Sequence, residues 1–144
     1  MKKYFVLILS ALLLSISANA DDRPAAFDKL PEQARTFINN HYKVSDVMTV
    51  LKDDNLIRPD YKVYLTHGVC IEFDYNGSLE KISSNEAPIP ADVIPTQIKD
   101  YVARHYPDAT FMEYEVDHRN YEIKLSNRVE LSFNKKFNLI EVDY

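Results

Sequence analysis

The sequence predicts an α+β fold: two tandem helix-plus-four-strand units that form an antiparallel sheet with two helices packed on one face. Three observations carry this expectation. Two blocks recur in the same order, the apolar period within each copy changes from about 3.6 to 2, and turn residues separate the period-2 runs. "LPEQARTFINNHY" (30–42) aligns without gaps on "IPTQIKDYVARHY" (94–106), and "YKVYLTHGVCIEFDYNGSLEKI" (61–82) aligns on "YEIKLSNRVELSFNKKFNLIEV" (121–142). The offset falls from 64 to 60 between the blocks, which places about four extra residues of the first copy in "DDNLIRPD" (53–60).

Each copy opens with a helix. Pro31 and Pro95 suit a first turn, where the missing N–H costs no intrahelical bond. Ala34, Phe37, Ile38 and His41 or Tyr42 then share a face, as do Ile98, Tyr101, Val102 and His105 or Tyr106, and Pro107 stops the second helix. The next run alternates, with Met48 and Val50 expected inward in the first copy and Met112, Tyr114 and Val116 in the second. That parity turns Phe111, Glu113 and Glu115 outward. Two further strands carry Tyr61, Val63, Leu65 and Val69, Ile71, Phe73, matched by Tyr121, Ile123, Leu125 and Val129, Leu131, Phe133. Asn76-Gly77 marks a hairpin before a last strand near 79–83, whose counterpart is 139–143. Together the copies make an eight-stranded sheet, continuous or broken at its middle.

The first twenty residues, "MKKYFVLILSALLLSISANA", combine a basic start, a short apolar run and an Ala-x-Ala end. They read as a secretory signal peptide over 1–20 with cleavage near Ala20, which predicts a periplasmic or secreted protein without stable membrane insertion. The remainder, 21–144, is one domain of two repeats, 28–84 and 92–144, joined by a linker over 85–91. Removing residues 1–20, which hold Lys2 and Lys3 and no acid, moves the formal charge from −5 to −7. No Lys/Arg run survives, so nucleic acid is not an expected partner. Cys70 is the only cysteine, and an exported chain with one thiol must rely on its packed core.

Catalytic chemistry finds no pattern here. No serine sits in a G-x-S-x-G elbow, and Gly68 and Gly77 are too few for a glycine-rich phosphate loop. "DYNGSLE" (74–80) places its glycine fourth and lies between strands, unlike a calcium loop. His41 and His105 lack metal-ligand spacing and suit the last turn of a helix, where imidazole meets free carbonyls. His67 and His118 fall in turns. The expectation is a non-enzyme with no cofactor and no metal.

What remains is surface. Parity turns Lys62, Tyr64, Cys70, Glu72, Phe111, Glu113, Glu115, Glu122, Lys124 and Glu130 away from the helices, and the 53–60 loop presents Leu56 and Ile57. Aromatic and apolar anchors ringed by polar groups suit a protein or peptide partner. The candidate partner-binding residues are therefore Leu56, Ile57, Tyr64, Glu72, Phe111, Glu113, Glu122 and Glu130.

The two helix blocks, with "VCIEFDYNGSLEKI" and "VELSFNKKFNLIEV" closing the copies, resemble the exported PepSY-like domain proteins of Bacteroides-type bacteria. They are more distantly similar to the tandem-unit β-lactamase inhibitor proteins. The resemblance covers 28–144. It implies a sheet with two helices on one face and no catalytic residues. Inhibitor relatives clasp their enzyme with the open sheet face, which draws attention to Tyr64 and Phe111, and PepSY units on peptidases are linked to peptidase regulation. The expected function is a non-enzymatic exported binding protein, an inhibitor or regulator of an envelope or extracellular protein. The alternative is a structural or envelope-stress accessory without an enzyme target.

Overall fold

A computed structural model of the chain describes residues 22–144; the predicted signal peptide lies outside them. The elements are β1 (Arg23–Ala25), α1 (Glu32–His41), β2 (Val47–Lys52), β3 (Tyr61–Leu65), β4 (Val69–Phe73), β5 (Leu79–Ser84), α2 (Thr96–His105), β6 (Phe111–Val116), β7 (Asn120–Leu125), β8 (Glu130–Asn134) and β9 (Leu139–Asp143). All nine strands form one antiparallel sheet in chain order.

This corrects the predicted fold class. Over the described residues the protein is mostly β, a single nine-stranded sheet with two α-helices of ten residues each, and not an α+β pair of helix-plus-four-strand units. One feature adds a strand to the eight expected, and a second makes the sheet continuous where the sequence left that open. Arg23–Ala25 adds a strand beside β2, with Pro24 opposite Leu51, on the sheet edge where a residue lacking N–H is tolerated. And β5 pairs directly with β6 through Lys81↔Glu115, Ile82↔Tyr114 and Ser83↔Glu113, so no break divides the sheet.

Alternation builds the core. Val50, Val63, Ile71, Ile82, Tyr114, Ile123, Leu131 and Val142 stand in register from β2 to β9, all on one face. Ala34 and Ile38 of α1 and Ile98 and Val102 of α2 are buried in the same apolar cluster. Full burial of each Ile contributes roughly 1.5–3 kcal/mol. Phe37 of α1 meets Phe73 edge-on at 5.6 Å, and Tyr101 of α2 meets Phe133 at 5.4 Å. Both contacts fall on the face of the apolar row, so the opposite face carries neither helix.

The helix ends use the residues singled out above. Pro31 and Pro95 precede the helices, and their carbonyls accept from Arg35 N–H at 3.1 Å and Lys99 N–H at 3.0 Å. His41 packs on Phe37 at 4.6 Å and His105 stacks on Tyr101 at 4.3 Å, one turn apart in each helix. His41 Nδ1 also lies 3.4 Å from Asp92 Oδ2. Burial, then the Asp92 charge, push the Tyr42 phenol up to about 12.

Two bulges overturn the predicted parity at the start of β2 and β6. Val47 pairs with Leu65 but Thr49 with Tyr64, leaving Met48 as the extra residue; Phe111 pairs with Leu125 but Glu113 with Lys124, leaving Met112. One inserted residue lets both Val47 and Phe111 face inward without flipping the rest of the strand. Met48, expected inward, is 70% exposed, while Phe111, expected outward, packs against the core. Met112, also expected inward, lines a surface cleft with Lys124 and Arg128.

Candidate binding face

The face without helices is ordered by the same register. One row runs Leu51, Lys62, Glu72, Lys81, Glu115, Glu122, Ser132, Glu141, and the next runs Thr49, Tyr64, Cys70, Ser83, Glu113, Lys124, Glu130, Asp143. Over β6 to β9 these rows bring together six carboxylates. Two lysines answer them. Lys81 Nζ lies 2.6 Å from Glu113 Oε1 and 3.1 Å from Glu115 Oε2, and Lys124 Nζ lies 2.6 Å from Glu130 Oε1. Burial alone would lower the Lys81 ammonium, but its hydrogen bonds to Glu113 and Glu115 outweigh that and hold it well above the usual lysine range.

Glu122 has no such partner among the described residues. Burial, and then the charges of Glu115 and Asp117, raise its carboxyl above the usual range, with Lys81 offsetting part of the effect. Glu113, Glu122, Lys124, Glu130, Glu141 and Asp143 border a depression of about 160 Å³. That is below the roughly 300–1,000 Å³ of small-molecule pockets. It suits a protruding side chain of a larger partner.

The other half of the face is less charged. Tyr64 is 40% exposed and pairs across to Cys70, whose thiol is pushed up by burial first and by Glu72 next. A thiol held protonated in this way is a poor nucleophile. Among the described residues, no three His, Cys, Asp or Glu side chains are placed to hold a metal ion.

Five predicted binding residues therefore share the open face: Tyr64, Glu72, Glu113, Glu122 and Glu130. Phe111 does not join them, because the Met112 bulge turns it into the core. Leu56 and Ile57 are 89% and 87% exposed, but on the loop between β2 and β3. Tyr64 on β3 is four strands from β7, about 19 Å at the usual strand spacing, so only a partner of protein size reaches both halves. Glu141 and Asp143 also lie on this face, and the alternation of "IEVD" was a readable signal for their placement.

Comparison with known proteins places the chain in a class. Residues 59–141 match the family model described as "Putative beta-lactamase-inhibitor-like, PepSY-like". The chain belongs to this PepSY-like family. Three crystal structures share its fold. One is a "putative periplasmic protein" of the DUF2874 family from Bacteroides vulgatus, 36% identical over 88% of this chain and 99% of that one, with a TM-score of 0.83. A second, from Bacteroides thetaiotaomicron, is described as a "putative calcium-regulated periplasmic protein"; it is 38% identical over 85% of this chain and 97% of that one, with a TM-score of 0.79. A third, a "putative periplasmic protein of unknown function" from Bacteroides vulgatus, is 25% identical over 85% and 99%, with a TM-score of 0.76. No curated protein matches the chain significantly. Among the described residues, no helix is long and apolar enough to cross a membrane.

Proposed function

We propose that this protein is an exported, non-enzymatic binding protein that restrains an envelope or extracellular hydrolase, a peptidase or β-lactamase-like enzyme, through its open sheet face. The observation that carries the reading is the face itself: two registered rows of side chains, covered by neither helix, rich in carboxylates at one end and bearing Tyr64 at the other. The inhibitor-like family description and the periplasmic description of its relatives support the reading. A protonated thiol fits binding better than nucleophilic catalysis.

The test is capture from an envelope extract by the wild-type chain and by a Tyr64→Ala/Glu122→Lys/Glu130→Lys variant, followed by activity assays on any hydrolase retained. Wild type is expected to hold an enzyme and lower its activity, and the variant to release it. Equal retention of every protein by both chains would exclude the open face as the contact.

A further inference from the structure

The outer edge of β9 completes this face, and its chemistry is specific. An edge strand directs half of its N–H and C=O groups away from the sheet, where another strand can pair with them. Among the described residues, no strand pairs with β9 on the side away from β8. Leu139, Ile140 and Tyr144 leave apolar surface there, at 36%, 53% and 92% exposure. Glu141 and Asp143 end the two rows of the open face, while Val142 ends the apolar row and packs partly against the core. Lys81 and Lys124 are engaged by Glu113, Glu115 and Glu130, and no described Lys or Arg is paired with Glu122, Glu141 or Asp143.

Charge decides what can pair. A second copy is disfavoured, since antiparallel pairing with both core faces on one side sets Glu141 against Glu141 or Asp143 of that copy. Like charges directly opposite destabilise a strand pair, whereas opposite charges stabilise it. The bulge at Ile140, between Leu139↔Phe133 and Glu141↔Ser132, blunts indiscriminate edge pairing further.

We propose that the outer edge of β9 is a strand-addition site for an extended partner segment in which Lys or Arg alternate with apolar residues. The cations lie beside Glu141 and Asp143 on the open face, and the apolar residues continue the row that ends at Val142. This deepens the binding reading above and rests on it, adding the chemistry of the partner and the edge at which its strand enters.

The test uses isotope-labelled protein and two seven-residue peptides, one alternating Lys with Val and the other Glu with Val. The basic peptide is expected to slow hydrogen exchange of β9 amides at least about tenfold at saturation and to weaken with added salt; the acidic peptide is expected to do neither. Glu141→Lys/Asp143→Lys is expected to weaken the basic peptide about tenfold or more, with Asp100→Lys, a charge reversal at an exposed position of α2, binding as wild type. Unchanged β9 exchange with millimolar basic peptide, or equal binding by the charge-reversed edge, overturns the proposal. The two readings fail separately. Hydrolase capture lost with the face variant but no protection of β9 sinks strand addition alone, whereas protected β9 amides with undiminished capture by the face variant sink the open-face contact alone.

Discussion

At the scale of single residues, two equivalent turns solve one backbone problem differently. The β4–β5 turn holds Gly77 at φ 88°, and the β8–β9 turn holds Phe137 at φ 62°. Asp74 Oδ1 accepts from Asn76 and Ser78 N–H at 2.8 Å each, and Asn134 Oδ1 accepts from Lys136 and Asn138 N–H at 2.9 and 3.0 Å. Phe137 offsets its left-handed backbone by stacking on Tyr121 at 5.1 Å, with the rings nearly parallel. Gly77 has no such freedom, since an added Cβ would lie 2.8 Å from both Ala34 N and Pro31 Cβ of the α1 entry. Gly77→Ala is therefore expected to destabilise the fold by about 2–4 kcal/mol, combining left-handed strain with overpacking. Urea denaturation measures it, and a loss below about 1 kcal/mol would show that α1 moves aside freely. The Asn-Gly signal for this turn was legible in the sequence. The left-handed Phe137 was not, because its compensation comes from an aromatic partner on another strand.

At the scale of elements, the alternation of strands was legible wherever one face is buried, as along Tyr61, Val63 and Leu65. The bulges at Met48 and Met112 were not, because a one-residue insertion leaves no local mark and is decided by what the neighbouring strand offers. Phe111 was misplaced for that reason alone. β1 was missed because three residues with a proline at their centre carry too little pattern to announce a strand. The β5–β6 junction depends on long-range register, and there Lys81 reaches between Glu113 and Glu115 of the adjoining strand. Lys81→Met would leave two carboxylates unopposed across the junction, and is expected to cost about 1 kcal/mol at pH 7 after solvent screening. Adding Glu113→Gln and Glu115→Gln in that background is expected to recover most of the loss. If the triple variant is no more stable than Lys81→Met in urea, packing of the lysine stem outweighs its charge.

For the whole molecule, the acidic balance is unevenly spread and makes stability depend on pH. Burial together with neighbouring acids raises the carboxyls of Asp60, Glu80 and Glu122 above their ordinary values. A raised carboxyl favours the folded state below its unfolded pKa, about 4.3 for glutamate, and that contribution is lost as pH rises through the folded value. Asp117 runs the other way, held below the usual range chiefly by the Asn120 and Arg119 N–H groups, so its contribution disappears only as pH falls through its folded value. Glu122 isolates the first effect, since it sits on the open face without a described cationic partner. Glu122→Gln is expected to raise stability at pH 7 by about 0.5 kcal/mol, with the difference shrinking towards zero by about pH 4 and diminishing in high salt. Urea midpoints of both chains across that range measure it. A gain that is the same at pH 4 and pH 7 would place its origin in packing instead.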